Sequence, residues 1–394
     1  MKQILFLTLI LSLNAQAYNL QEILNSFETS KKVKALTLKR DSDLAENSLV
    51  DTYSSPVLGG SISYADDIFK DGMEYSVGIS QDIDNPLSSS KRKDGVKNLN
   101  QAVTQEAKYE MHLMELELVS KYYGACSAKV ILQSAKELYK EQTKRYEQVQ
   151  TAYKLGEISK KELLFNKLDL AKLNQSLNLY RLKYLEDFSA LQSNIDNLKI
   201  DEITCDDLIL PSKEINAVDI SQHNELKTLS FKKNAAQSFY EVHDSSLQSI
   251  SYKVLYEKEV ETKRYTVGLS IPIGGVTSKQ EMLRSTKLKL ASSYEFQRES
   301  MKNTLENSLD ALVLKLEVLY DDLTLLEEEI LPLNRELLEL AKSAHLEGEG
   351  SVLEYLDASR SYSENLLNML EVKKTYYYEL FEFYKIADIE YGEI

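Results

Sequence analysis

From Leu305 the apolar positions Leu305, Leu309, Leu312, Leu316, Leu319, Leu323, Leu326, Ile330, Leu333, Leu337, Leu340 and Ala344 alternate steps of four and three without a miss. A seven-residue repeat of this kind is a coiled-coil seam, and sustained this far it implies a left-handed superhelical course. Pro332 lies inside the row, where it removes a backbone donor. Because the seam continues across it, the expectation is a local kink in one long helix. Beyond Gly350 the row Tyr362, Leu366, Met369, Tyr376, Leu380 and Phe383 keeps the same alternation, with Lys373 its one polar member.

Earlier in the chain the helical period begins at Leu20 and holds to Val50, about 30 residues or roughly 45 Å. The period then changes to two. In Ser61-Ile62-Ser63-Tyr64 and Tyr75-Ser76-Val77-Gly78-Ile79-Ser80, apolar residues alternate with small polar ones, and Asp66-Asp67 with Lys70-Asp71-Gly72 supply a polar turn between them. After Leu87 the helical period returns and runs, without Pro, to Gly156, about 65 residues or roughly 100 Å. A shorter helix is expected from Ser159 to about Ser193, then a connector over residues 197–217 containing Cys205 and Pro211, then a helix from about Val218 to Val242. A second hairpin follows in Ser249–Tyr256 and Tyr265–Pro272.

The two parts repeat each other. Ala152, Gly156, Glu157, Ser159 and Glu162 fall on Ala344, Gly348, Glu349, Ser351 and Glu354 at one constant offset, and Tyr75-Ser76-Val77-Gly78-Ile79-Ser80 lies on Tyr265-Thr266-Val267-Gly268-Leu269-Ser270. Such self-similarity means a chain built twice, expected here as residues 18–217 and 218–394. At each turn a glycine ends one helix, and a capping box, Ser159 with Glu162 or Ser351 with Glu354, starts the next. The fold class is therefore mainly α with a small β part: long antiparallel coiled-coil helices and four strands per chain. Tyr, Val and Ile or Leu on one strand face, opposite Ser, Thr and Gly, would fit a soluble half-buried sheet, but Tyr at the strand ends and the small polar opposite face fit an outer-membrane barrel wall better. Four strands cannot close, since a barrel needs about eight or more, and open edges in lipid leave backbone groups unsatisfied. Oligomerisation is thus expected, a ring of three supplying 3 × 4 strands.

Charge and chemistry narrow the picture. A net charge of -15 argues against a nucleic-acid partner, which needs a basic face, and suits a water-filled path for cations. Met1-Lys2, the apolar run Ile4–Leu11 and Ala15-Gln16-Ala17 read as a signal peptide over residues 1–17, so the mature chain is expected to start at Tyr18 outside the inner membrane, with no following Cys for a lipid anchor. No later stretch reaches the roughly 20 apolar residues of a spanning helix, so membrane entry would be by strands. Cys126 and Cys205 could pair in an exported chain or stay free. His112, His223, His243 and His345 lack ligand spacing, and no nucleophile–base pair or phosphate loop is present, so neither a catalytic site, a metal nor a cofactor is expected. Met111, His112 and Met114 read as ordinary helix residues, and Glu327-Glu328-Glu329 as a solvated face.

The signal peptide, the duplicated hairpin-plus-long-helix halves, the turn Tyr153-x-x-Gly156-x-x-Ser159 with its counterpart at Gly348 and Ser351, and the run Leu353-x-x-Leu356-Asp357-Ala358 together resemble the TolC-type outer-membrane efflux proteins. Leu331-Pro332 upstream of the second turn also fits that family. The resemblance covers nearly the whole mature chain. It implies a homotrimer in the outer membrane of a Gram-negative cell, with a twelve-stranded barrel in lipid and a helical tunnel across the periplasm that meets a periplasmic adaptor and an inner-membrane pump. It places Glu354 and Asp357 as an acidic ring at the periplasmic entrance. Gly156, Glu157, Ile158, Ser159 and Gly348, Glu349, Gly350, Ser351 become the adaptor-docking tips. The family's latch joins a Tyr and an Arg of the second turn to an acidic residue of the first. Here His345 and Gly350 hold the Tyr and Arg positions, leaving His345 with Glu162 as the expected latch, sensitive to pH because His titrates near neutrality. The alternatives are the outer-membrane channel of a type I secretion system and a non-channel structural coiled coil. The transported substrate stays open.

Overall fold

The computed structural model describes residues 17–66, 71–85, 88–205, 208–213, 215, 218–244, 249–271 and 278–391. The signal-peptide run over residues 1–16, the turn residues Asp67 and Lys70, and Leu87 and Pro272 lie outside them. In chain order the elements are β1 (Ala17–Tyr18), α1 (Leu20–Glu28), α2 (Lys31–Leu49), β2 (Val57–Asp66), β3 (Asp71–Asp84), α3 (Ser89–Leu155), α4 (Lys160–Gln192), β4 (Glu202–Ile203), α5 (Asn224–Asp244), β5 (Ser249–Lys258), β6 (Lys263–Ser270), α6 (Ser278–Leu325), α7 (Leu331–Leu346) and α8 (Val352–Ala387). Two compact units form. One takes Met1–Lys34, Met111–Val218 and Asn307–Ile394; the other takes Ala35–Glu110 and Asp219–Glu306. Each unit therefore draws on both sequence repeats.

In the first unit, the helix expected over Leu20–Val50 is two. Ser26, Thr29 and Ser30 offer the backbone side-chain partners that compete with a helix. Ser30 is fully buried, and its hydroxyl accepts from Val33 N (3.3 Å) to start α2. The connector completes the break: Asp196 accepts from Lys31 N (3.2 and 3.1 Å), and Asn197 donates to Ser26 O (2.9 Å).

The core of this unit is aromatic. Tyr122, Tyr123, Tyr376, Phe381, Phe383 and Tyr384 are fully buried, with Tyr123 edge-on to Tyr377 (5.0 Å) and Phe381 (4.8 Å). The hydroxyls serve the irregular connector, whose backbone groups have no helix to pair with. Tyr377 donates to Ile209 O (2.8 Å), Tyr123 accepts from Ile209 N (2.9 Å), Tyr376 both donates to Ser212 O and accepts from Ser212 N, and Tyr122 donates to Thr204 O. Cys126 and Cys205 are joined, pinning the connector to α3 across 79 residues of sequence. A loop of that size is worth ~4–5 kcal/mol in the chain-entropy account.

The seam expected to run unbroken to Ala344 changes face at a π-turn, Leu326–Ile330, where Leu331 N bonds back five residues to Leu326 O. Pro332 has no N–H to donate and its ring crowds the carbonyl four residues back, a conflict that the widened turn accommodates. The helix stays continuous, but one extra residue turns the following face by ~100°. Leu309, Leu316, Leu323 and Leu326 are buried, whereas Leu333, Leu337 and Leu340 are 64%, 53% and 62% exposed in the single chain.

In the second unit the strands form one antiparallel sheet in the order β2-β3-β5-β6, leaving β2 and β6 as edges. The helix expected from Val218 begins only at Asn224, after a 3-10 turn over Ile220–Gln222 that Asp219 caps by accepting from Ser221 N (2.9 Å).

Candidate functional site

Cross-strand pairs share a face, so the register sorts the sheet. Leu58 pairs with Ile79, Ile79 with Val254 and Val254 with Val267, while Val77, Tyr256 and Tyr265 form the next row. On the other face Ser61 meets Ser76, whose hydroxyls bond at 2.8 Å, and Gly78 meets Leu255. A Cβ on Gly78 would stand 2.7 Å from Leu255 Cδ1 and 2.8 Å from Val254 O, so the strand can approach this closely only at glycine. A soluble half-buried sheet covers its apolar face with its own chain. Here that face is open: Leu58 is 76% and Val267 82% exposed.

The two helical turns are built alike within the first unit. Gly156 (φ +79) and Gly348 (φ +78) adopt the left-handed conformation, and Glu157 N and Glu349 N return to Ala152 O (3.0 Å) and Ala344 O (2.9 Å), closing the carbonyls of α3 and α7. Ser159 caps α4 and Ser351 caps α8, with Glu162 and Glu354 completing the boxes through Ser159 N (2.7 Å) and Ser351 N (3.2 Å). Val149, Val352 and Leu356 pack with Ile158 and Leu163, which sets the two turns side by side. Gly350 is closely packed: a Cβ there would lie 2.8 Å from Ala344 Cβ, so a larger side chain at this position would collide with the end of α7.

Glu354 and Asp357 stand three residues apart at the start of α8. Glu354 is engaged by its cap; the Asp357 side chain is 71% exposed and lies 3.5 Å from Arg360. Glu162 is likewise engaged by its cap, where hydrogen bonds from the Ser159 backbone and hydroxyl hold it below the usual carboxylate range. His345 stacks on Tyr355 at 5.9 Å. Among the described residues Glu162 and His345 do not bond to each other within the chain.

A polar layer beside these turns was not foreseen from the sequence. Arg145 of α3 is buried; it donates to Gln142 Oε1 (2.9 Å), Tyr355 OH (3.1 Å) and the Ser359 hydroxyl, with its guanidinium 4.6 Å over the Tyr355 ring. Arg360 donates to Asp169 Oδ2 of α4 at 2.8 Å. Asp357 is thereby linked through Arg360 to α4. The available signal was the row Leu138, Gln142, Arg145, Val149, in which polar residues sit at seam spacing between apolar ones.

No family model matches the chain, and no curated protein matches it. Among solved structures, the outer-membrane channel OprN superposes with a TM-score of 0.79 at 13% identity, over 93% of this chain and 89% of that one. The CmeC outer membrane channel of Campylobacter jejuni gives 0.77 at 14% identity over 95% and 87%, and the outer membrane protein VceC of Vibrio cholerae gives 0.77 at 9% identity over 93% and 95%. With nearly the whole of each chain superposed, this protein has the fold of the outer-membrane channels that its turns and hairpins resemble.

Proposed function

We propose that the chain is one subunit of a trimeric outer-membrane channel of a tripartite efflux system, reaching from the outer membrane into the periplasm. The observation that carries this is the sheet, with an exposed apolar face, a small polar face and two unpaired edge strands. Lipid covers the first, water fills the space against the second, and pairing between copies satisfies the edges. A purely structural coiled coil gives that sheet no role.

The two helical turns are the surface for a periplasmic adaptor, which connects the channel to an inner-membrane pump. Glu354 and Asp357, as 3 × 2 carboxylates, ring the periplasmic entrance and favour cations. His345 and Glu162, one at each of the two turns, serve as the latch of this entrance. Inside each copy, Arg360 with Asp169 and Arg145 with Tyr355 and Ser359 hold the start of α8 in place. Membrane fractionation with mass determination in detergent tests the assignment: trimers in the outer membrane are expected, and a soluble monomer in the periplasm would overturn it.

A further inference from the structure

The apolar face of the sheet changes character at the hairpin end. Tyr75, Tyr256 and Tyr265 cluster there, with ring centroids 6.1 Å apart for Tyr75 and Tyr256 and 5.1 Å for Tyr256 and Tyr265. One pair beyond Tyr256 and Tyr265 on the same face, in register with Tyr75, Lys258 and Lys263 stand directly opposite each other. Lys258 Nζ lies 5.7 Å from the Tyr75 ring centroid, which confirms the shared side. Like charges directly across an antiparallel pair destabilise it. The neighbouring Arg264, on the other face, is neutralised by Glu259 at 3.2 Å, but among the described residues neither lysine has an ion pair. The carboxylates on their own face, Asp66 and Asp71, lie two pairs beyond the Tyr75 row, past Tyr64 and Met73.

The strand ends that each hairpin joins, Asp66 with Asp71 and Lys258 with Lys263, lie at this end of the sheet, and the strand ends nearest in sequence to the helices lie at the other. Resting on the channel reading above, with the helices in the periplasm, this end faces the outer leaflet. Tyrosines mark the level of the membrane interface, and lysines at that level meet lipid headgroups. We propose that Lys258 and Lys263 form a binding site for the phosphate groups of outer-leaflet lipid, one site on each copy, in which the bound phosphate relieves the Lys–Lys repulsion and fixes the depth of the barrel.

The test uses the mature trimer in detergent, with lipid A carrying its two phosphates as the probe and the same lipid stripped of phosphate as the control, read by native mass spectrometry. The wild type should hold the phosphorylated lipid about 30-fold more tightly than Lys258→Gln/Lys263→Gln, at about fivefold per lysine. The stripped lipid should bind both proteins equally and weakly. Equal retention of phosphorylated lipid by both proteins would overturn the proposal. Displacement of the lipid by low-millimolar inorganic phosphate would also overturn it, assigning the lysines to the free ion. Bilayer conductance of both proteins separates this site from the channel itself: failure of both to conduct counts against the channel, whereas equal conductance with equal lipid binding counts against the lysine site alone.

Discussion

Arg360 of α8 donates to Asp169 of α4 at 2.8 Å and lies 3.5 Å from Asp357, so one guanidinium joins the proposed entrance carboxylate to the neighbouring helix. The Asp169 side chain is 15% exposed and that of Arg360 45%, so solvent screens the pair and its worth to stability is at most about 1 kcal/mol. Its effect should appear in the gate. Arg360→Ala and Asp169→Asn are each expected to raise single-channel conductance with little change in thermal stability, and the double variant to add nothing beyond either single one. Additive effects in the cycle would show that the pair does not act as a unit.

Arg145 has no carboxylate partner among the described residues, although it is buried. A buried charge with no counter-charge carries a desolvation penalty on the order of several kcal/mol, which an apolar side chain of similar volume removes and which offsets the hydrogen bonds lost. Arg145→Met should therefore keep or raise the unfolding temperature while it frees the start of α8 from Tyr355 and Ser359. A loss of several kcal/mol in denaturant unfolding would mean that the charge is needed for the fold.

The helices, hairpins and turns were legible because each carries a local signal: seam spacing, strict alternation, and a glycine followed by a capping box. What the sequence hid depends on contacts far apart in the chain. The break between α1 and α2 needs Asp196 and Asn197, 165 and 171 residues from their partners Lys31 and Ser26, a tertiary override of a helical pattern. The π-turn at Leu326–Ile330 leaves no trace in the apolar row, and only the exposure of Leu333, Leu337 and Leu340 reveals that the face has turned. The link from Arg360 to Asp169 joins residues 191 apart. Cys126 and Cys205 admitted both states until the connector was placed against α3.

Because that disulfide ties to α3 a connector held otherwise by the β1–β4 pairing, Lys129 and tyrosine hydroxyls, Cys126→Ser/Cys205→Ser should lower stability by ~3–5 kcal/mol. Hydrogen exchange should quicken first at Ile203 and Ile209. Unchanged protection there would show that the tyrosines suffice.

Glu162 is held below the usual carboxylate range by its bonds to Ser159. A depressed carboxylate stabilises the folded state above its unfolded value and loses that contribution as the pH falls through its folded value. Below the ordinary carboxylate range, roughly pH 4, the first turn of α4 should therefore lose amide protection, while in Glu162→Gln the same turn should show no step in that window. A wild-type profile that is flat in acid would remove the cap from the account.

The most direct test of the channel is single-channel conductance of the purified trimer in planar bilayers, with Glu354→Gln/Asp357→Asn alongside. Cation-selective conductance that loses its selectivity in the double variant is the expected result. A protein that gives no channels, or a variant with unchanged cation selectivity, would contradict respectively the channel and the place of these two carboxylates at its entrance.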